Sequence, residues 1–313
     1  MNAVPVPLNK VKLSIMRSLN RTGLAIILSL LALALFDAMG LIIKLLSSNF
    51  SAAELSTWRN LFGLIPAFLV LYSSRAWRQA GQVFKIRQWK LALFRGVIAT
   101  LAQLCFYMSL GLMAFATAST ITYAGALFTT AFAIPILGER VGWMRWGAVI
   151  VGFVGVVFIL QPGSDAFSFS SILPLAAAAF YALLTITAKL FDDEVPSALV
   201  NLYSSVISTA CATIITLFIG GFTMFTSFEE VLWLVLMGGF GGSAVLLLVT
   251  SYRMTEQSNL APFSYFGIPI AFLFGWAFFD ETPWNTLFPG AALIILGGLL
   301  IFWRESALAK RKT

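Results

Sequence analysis

Long apolar runs separated by short polar segments dominate the chain from residue 24 onward. Stretches without any charged residue cover residues 96–138, 146–164, 166–188, 195–228, 231–252, 257–279 and 282–303. Because an α-helix crosses the hydrocarbon core of a bilayer in about 20 residues, the first stretch is long enough for two crossings. The pattern predicts an all-α integral membrane protein with ten transmembrane helices, at approximately residues 24–43, 54–72, 91–110, 117–137, 143–160, 171–189, 197–219, 231–250, 259–279 and 284–303.

Lys and Arg residues are distributed unevenly between the predicted loops. Seventeen of the 20 lie in the two terminal segments and the even-numbered loops, and the other three are Lys44, Arg59 and Arg95. Cytoplasmic loops of membrane proteins carry the excess of basic residues. We therefore expect both termini to be cytoplasmic, with residues 1–23 and 304–313 as basic tails of a multi-pass protein of the plasma (inner) membrane.

The composition supports lipid as the solvent. Hydrophobic residues make up 59% of the chain and charged residues 11%, whereas a soluble domain is about one quarter charged. The net charge of +7 does not indicate nucleic-acid binding, because the basic residues form short clusters between apolar runs. The chain has no His, and Cys105 and Cys211 each lie inside an apolar run. We expect no metal site, no disulfide framework and no cofactor.

The two halves of the chain resemble each other in sequence. An offset of 142 residues places Tyr123 on Tyr265, Gly125 on Gly267, Glu139 on Glu281 and Gly155 on Gly297, and an offset of 145 places Lys44 on Lys189. The predicted repeats cover residues 24–161 and 171–303, with five helices each. Because five is odd, the second repeat enters the membrane from the opposite side. Inverted repeats of this kind are typical of secondary transporters, which hold the substrate between the halves.

Short motifs at equivalent positions of the two repeats resemble a known family. They are Gly138-Glu139-Arg140, Gly147, Gly152, Gly155 and Gln161-Pro162-Gly163 in the first repeat, and Asp280-Glu281, Gly290 and Gly297-Gly298 in the second. They are similar to the EamA units of the drug/metabolite transporter superfamily, and the resemblance covers about residues 24 to 303. It implies a ten-helix carrier, since family members export amino acids or drugs or take up metabolites such as S-adenosylmethionine or riboflavin. The Arg95-Gly96 start of the third helix looks more like the uptake branches.

Three charged residues stand out because they lie inside the predicted helices rather than at their ends or in loops. A charge at the centre of a membrane helix costs roughly 2.5–3.5 kcal/mol on insertion scales, so such residues usually face the protein interior and mark function. Asp37 and Arg59 lie at similar depths and can pair, either as a structural link between helices 1 and 2 or as a site where substrate or a proton competes. Arg95 either extends to the lipid headgroups or faces the cavity and binds a carboxylate or phosphate.

Uncharged polar residues extend the predicted substrate site. Gln103 and Tyr107 lie one helical turn apart on a face that Arg95 nearly shares, and we expect this stripe to contact substrate. Tyr123 and Tyr265 are repeat mates that either form opposite walls of one site or pack helices together. Trp276, Tyr181, Asn201 and Tyr203 are further cavity candidates, although aromatic residues also form interfacial belts.

Glycine and proline residues mark the predicted moving parts. Gly238 and Gly241 belong to a cluster of four glycines in helix 8 that allows close helix approach and bending. Pro262 and Pro269 predict a bent gate in helix 9. Lys44 and Lys189 are interpreted as interfacial anchors, and Glu139 and Glu281 as caps for backbone N–H groups, with ion coupling as the alternative.

Together these features predict a secondary transporter that moves a small organic metabolite across the inner membrane by alternating access. The site residues suit an amino-acid-like, zwitterionic or anionic substrate such as an amino acid, S-adenosylmethionine or a flavin. The alternatives are a multidrug exporter, a channel, and a lipid-modifying membrane enzyme that uses the acidic run at residues 192–194. The expected partners are the substrate and the lipid bilayer, with no nucleic acid, and the protein is a monomer or a homodimer.

Overall fold

The computed structural model describes residues 8–79, 81, 83–84, 86–138, 143–161, 169–192, 194–254, 260 and 263–309. All regular secondary structure within these residues is helical. The α-helices are α1 Leu8–Leu46, α2 Ala52–Ser73, α3 Arg75–Gln79, α4 Trp89–Leu112, α5 Phe115–Thr122, α6 Gly125–Leu137, α7 Trp143–Leu160, α8 Ile172–Thr187, α9 Ser197–Ile219, α10 Phe228–Met254, α11 Gly267–Phe279, α12 Trp284–Leu287 and α13 Gly290–Ala309. Short 3-10 turns at Phe169–Ser171 and Ala188–Leu190 flank α8.

Among the described residues, six helical segments are long and apolar enough to cross a membrane. They are Arg21–Leu46, Trp89–Leu112, Phe115–Leu137, Ile172–Leu190, Ser197–Ile219 and Phe228–Tyr252, and shorter apolar helices cover Trp146–Leu160, Gly267–Phe279 and Gly290–Ile301. Large apolar side chains point outward from this bundle, and Phe218 and Phe228 are 87% and 81% exposed. Such surfaces are stable in contact with lipid rather than water.

Several helix boundaries differ from the sequence prediction. Helix α1 begins directly after Pro7, well before residue 24, because no proline interrupts residues 8–46. The predicted helix at 284–303 is divided into α12 and α13, because Pro289 has no N–H with which to continue the first of them. Helix α2 begins with a capping box, in which Ser51 and Glu54 bond each other's backbone N–H groups.

The predicted fourth helix is broken in its middle. Helix α5 ends at Thr122 and α6 begins at Gly125. At the break, the Tyr123 N–H donates to both the Ser119 and Thr120 carbonyls, which tightens the last turn. This break places the side chains of Thr122 and Tyr123 against the interior of the bundle.

The helices of the first half pack mainly against helices of the second half. Helix α1 contacts α10, α2 contacts α9 and α10, α4 contacts α8 and α9, and α7 contacts α13. The α7–α13 crossing depends on glycine, since a Cβ at Gly155 would lie 2.6 Å from the Gly290 carbonyl oxygen and a Cβ at Gly297 would lie 2.7 Å from the Ala148 carbonyl oxygen. Small residues permit such close approach in membrane proteins.

Candidate functional site

A cavity of about 450 Å³ lies between the two halves. It is lined by residues of α1, α2, α4, α8, α9 and α10, with the α5–α6 break closing one side. Its polar lining residues are Asp37, Arg59, Asn60, Arg95, Gln103, Tyr107, Ser119, Thr122, Tyr123, Tyr181, Asn201, Ser204, Ser205 and Ser208. Its size is in the range of about 300–1,000 Å³ that is typical of small-molecule sites.

Asp37 and Arg59 both line this cavity but do not form the ion pair that the sequence suggested. Asp37 is 7% exposed, and its Oδ2 has no hydrogen-bond partner among the described residues. The Nε of Arg59 is likewise unpartnered there, although its Nη1 donates to Asn60 Oδ1 at 3.0 Å. The prediction of a direct Asp37–Arg59 pair is therefore wrong. The cavity instead presents one acidic and one basic side chain, each with unused hydrogen-bonding capacity.

The glycine cluster of α10 makes room for these groups. A Cβ at Gly241 would lie 3.0 Å from Arg59 Nε and 2.6 Å from Met39 Sδ, so a larger residue would displace the guanidinium. Gly238 packs directly against Phe62 of α2. The structural role of both residues, which we predicted as gating positions, is thus close helix packing.

Gln103 belongs to a buried hydrogen-bond network between α2, α4 and α9. Its Nε2 donates to Asn60 Oδ1 at 3.1 Å, and its Oε1 accepts from Asn60 Nδ2 at 2.8 Å and from Ser56 Oγ at 2.6 Å. Asn60 Nδ2 also donates to Ser208 Oγ, which accepts a second bond from Thr100. Gln103 therefore reaches the cavity with its amide group already paired.

Arg95 faces the protein interior and not the lipid headgroups. It is 7% exposed and lines the cavity. Its Nη1 donates to the Leu184 carbonyl and, at 2.9 Å, to Thr187 Oγ1, and its guanidinium lies 5.9 Å from the centre of the Phe191 ring. These bonds hold the C-terminal end of α8 against α4, where a cation also interacts favourably with the helix dipole.

The two repeat-mate tyrosines meet at the helix breaks. The Tyr123 and Tyr265 ring centres are 6.4 Å apart, but only Tyr123 lines the cavity. The Tyr123 ring packs on Gly267 and the Tyr265 ring on Gly298, at positions where any larger residue would collide with the ring. Tyr265 is therefore a packing residue next to the site.

Three further predicted site and gate residues, Trp276, Tyr203 and Pro269, do not line the cavity. Trp276 is 53% exposed on the outer surface of α11. Pro269 is the third residue of α11, where proline is tolerated without a kink. Tyr203 donates its hydroxyl to the Phe84 carbonyl. Pro262 lies outside the described residues.

A cluster of four residues, which we call the clasp, links helices near the C-terminal end of α1. Its members are Lys44, Met113, Phe115 and Glu281. Lys44 Nζ donates to Glu281 Oε1 at 2.6 Å and to the Met113 carbonyl at 2.7 Å. Glu281 Oε2 accepts from the Phe115 N–H at 2.7 Å, so it caps a helix of the other half. The ion-pair side chains are only 14% and 21% exposed. Lys44 is thus part of an interhelical link rather than an interfacial anchor.

Sequence reasoning missed several small polar residues of the cavity wall. Asn60, Ser119 and Thr122 are short side chains in apolar helices, and single residues of this kind occur in many packed helices. A signal was nevertheless present in α9, where Ser204, Ser205 and Ser208 follow Asn201 at the spacing of one helix face. Of the acidic run at 192–194, Asp192 and Glu194 are described and neither lines the cavity.

Comparisons with known proteins identify the class of the molecule. The model of the EamA-like transporter family matches residues 23–161 and again residues 168–303. An S-adenosylmethionine uptake transporter of Rickettsia bellii is 27% identical over 90% of this chain and 94% of its own length. A riboflavin transporter of Vibrio cholerae is 31% identical over 59% of this chain and 62% of its own length.

A solved structure supports the fold. A crystal structure at 16% sequence identity superposes with a TM-score of 0.58 over 88% of this chain and 96% of that chain. The helical membrane fold, the two family matches and the named relatives agree with one another. The chain belongs to the EamA-like transporter family of the drug/metabolite transporter superfamily, and it is a multi-pass membrane transporter of small metabolites.

Proposed function

We propose that this protein carries an amphipathic zwitterion, an amino-acid group joined to a flat ring system as in S-adenosylmethionine, across the inner membrane. The observation that supports this substrate class is the presence of Asp37 and Arg59 on one buried cavity without a bond between them. An uncompensated buried charge is costly, and a bound partner of opposite charge removes the cost. An ammonium or sulfonium group near Asp37 and a carboxylate near Arg59 supply both partners at once.

The size and the aromatic lining of the cavity favour a substrate larger than a simple amino acid. Phe36, Phe106, Tyr107, Tyr123 and Tyr181 line it together with the charged groups. Aromatic side chains stack on flat heterocycles, and the cavity volume suits a drug-sized molecule. The relatives named for S-adenosylmethionine uptake match nearly the whole chain, which supports the same substrate class.

An inverted-repeat carrier with ten transmembrane helices accounts for the packing. The six long apolar segments, α2 and the three shorter apolar helices together make ten crossings. The sequence offset makes α8 the equivalent of α1, and α10 the equivalent of α4. The α1–α10 and α4–α8 contacts are therefore equivalent to each other. The α2–α9 and α7–α13 contacts each join a helix of the first repeat to its own equivalent in the second. This symmetry supports repeats at residues 24–161 and 171–303 that alternate access to one shared site, with both termini cytoplasmic. The protein acts as a carrier and not as a lipid-modifying enzyme.

Transport by purified protein in proteoliposomes tests this function. We expect saturable uptake of labelled S-adenosylmethionine. Asp37→Asn and Arg59→Gln should each reduce uptake about tenfold or more, because each leaves one charged group of substrate unpaired in a buried site. Arg75→Gln, on the short helix α3 away from the cavity, is the matched control and should retain full uptake. Undiminished uptake by both cavity variants would overturn the assigned site, and lipid turnover without flux would overturn the carrier.

A further inference from the structure

Helix α9 presents a row of small polar side chains to the cavity. Asn201, Ser204, Ser205 and Ser208 occupy positions i, i+3, i+4 and i+7, which lie on one helix face. All four line the cavity. A helix surface that only packs against neighbours needs no such row of amide and hydroxyl groups, since small apolar residues pack as closely. The row therefore points to a ligand with several hydroxyl groups.

Two members of the row keep their hydrogen-bonding groups unused. The Asn201 amide and the Ser205 hydroxyl have no side-chain hydrogen bond to any described residue. By contrast, Ser208 Oγ accepts bonds from Asn60 and Thr100, and Ser204 Oγ donates to the Val200 carbonyl. An amide supplies two donors and an acceptor, and a hydroxyl supplies one donor and an acceptor. The Asn201 amide and the Ser205 hydroxyl lie one helical turn apart. Together they can accept from and donate to two adjacent alcohol groups of a ligand.

The row and the aromatic lining complement each other. Phe106 and Tyr107 come from α4, Phe36 from α1 and Tyr181 from α8, while the row comes from α9. The cavity thus combines flat apolar surfaces with a hydroxyl-binding strip. A ligand that consists of a heterocycle and a short chain or ring of alcohol groups satisfies both kinds of surface.

We propose that the α9 row binds a pentose or pentitol portion of the substrate, while the aromatic lining binds its heterocycle. This subsite deepens the proposed function and rests on it for the identity of the transported molecule. Ribose in S-adenosylmethionine and the ribityl chain of riboflavin carry the chemistry required, so the row is a specificity site for nucleoside-like and flavin-like metabolites.

Competition binding to the purified full-length protein tests the proposal. With labelled S-adenosylmethionine as the probe, we expect adenosine to compete about tenfold more strongly than 2′,3′-dideoxyadenosine, because the latter leaves the row unpaired. In the double variant Asn201→Ala/Ser205→Ala the two competitors should become equal. Ser205→Ala alone should give an intermediate preference and is the variant to use if the double variant folds poorly. Thr213→Ala, farther along α9 and outside the cavity, is the matched control and should keep the wild-type preference.

A second pair of ligands separates failure of this proposal from failure of the proposed function. If S-adenosylmethionine does not bind, the proposed substrate is wrong. The subsite is then tested by comparing the thermal stabilisation of the protein by riboflavin with that by lumiflavin, which has the same ring without the ribityl chain. Selective stabilisation by riboflavin that disappears in the double variant supports the subsite. If the wild type transports S-adenosylmethionine but the double variant still prefers the ribose, the subsite alone is overturned. The subsite is also overturned if the wild-type protein distinguishes neither adenosine from 2′,3′-dideoxyadenosine nor riboflavin from lumiflavin.

Discussion

Asn60 joins the buried amide network to the charged wall of the cavity. Its Oδ1 accepts from Gln103 Nε2 at 3.1 Å and from Arg59 Nη1 at 3.0 Å. The reciprocal pairing with Gln103 fixes the plane of the Asn60 amide, and this plane in turn sets the direction of the guanidinium. We therefore expect Asn60 to orient Arg59 toward the cavity. A contact between Gln103 and the substrate stays a prediction.

Replacement of Asn60 by Asp tests this orienting role. The new carboxylate would lie next to Arg59 Nη1 and compete with the carboxylate of the substrate for the guanidinium. We expect the apparent affinity for S-adenosylmethionine to fall about tenfold, which corresponds to the loss of one charged hydrogen bond. The affinity for its decarboxylated analogue, which has no carboxylate to lose this bond, should stay within about twofold. Competition binding with both compounds measures the ratio.

The control for this change is Ser56→Ala, which removes the Ser56–Gln103 bond and the 3.5 Å bond from Asn60 Nδ2 to Ser56 but leaves the Asn60–Arg59 bond in place. It should leave the preference for the carboxylate unaltered, even if it destabilises the protein. Equal losses of affinity for both compounds in Asn60→Asp would show that Asn60 only packs helices together, and would contradict the orienting role.

Single residues of the cavity could be predicted from the sequence when they are expensive to bury. Asp37, Arg59 and Arg95 stood out because charges in apolar helices need an explanation, and all three line the cavity. Whether Asp37 and Arg59 touch each other depends on the rotation of α1 and α2, and on the space that Gly241 leaves on α10. The pattern of polar positions along the sequence specifies neither the rotation of the helices nor this space.

At the scale of helices, the positions of apolar segments were predictable and the break between α5 and α6 was not. Residues 115–137 form one continuous apolar run, so hydropathy predicts one helix. The break arises because the last turn of α5 tightens at Tyr123 and because Gly125 approaches the Ala178 backbone, where a Cβ would lie 3.3 Å from the carbonyl oxygen. Such a contact between distant segments leaves no periodic signal in either segment.

The clasp connects three segments of the bundle at the C-terminal end of α1. Lys44 belongs to α1, Met113 and Phe115 flank the α4–α5 connection, and Glu281 follows α11. In the proposed topology this end faces the outside of the cell. Because the ion pair is largely shielded from solvent, salt screens it weakly, and we expect it to help keep the outer side closed.

Loss of the clasp should open the cavity to the outside. The parent for this test lacks Cys105 and Cys211 and carries Thr122→Cys. We expect the addition of Lys44→Gln to this parent to increase the rate of labelling from outside by an impermeant maleimide about fivefold or more. The reason is that a partly buried ion pair with one partner removed no longer favours the closed arrangement. Rates of labelling in intact cells give the measurement.

Asn49→Ala is the control for the clasp. Asn49 lies near the same end and bonds the exposed side chain of Glu230, so its loss should leave the labelling rate unchanged. Identical rates in the Lys44→Gln variant and its parent would mean that the clasp does not contribute to closure of this side.

At the scale of the whole molecule, the number of apolar segments was easier to predict than the arrangement around the cavity. Phe115 is fully buried and Phe218 is 87% exposed, yet both lie in apolar helices of similar composition. Because lipid is as apolar as the protein interior, hydrophobicity does not distinguish the two environments. The pairing of α1 with α10 includes the contact of Gly241 with Met39, and that of α4 with α8 includes the bonds from Arg95 to the end of α8, which only the structure reveals.

Opposite orientation of the two repeats makes a prediction about the entire chain. Five crossings precede residue 165 and ten precede residue 313 in the proposed topology, so the two positions should lie on different sides of the membrane. We expect alkaline phosphatase fused after residue 165 to be active and green fluorescent protein there to be dark, with the reverse result after residue 313. A fusion after residue 87, in a basic loop, is the cytoplasmic control. If the fusions at 165 and 313 reported the same side, the second repeat would contain an even number of crossings, and a shared site between inverted halves could not form.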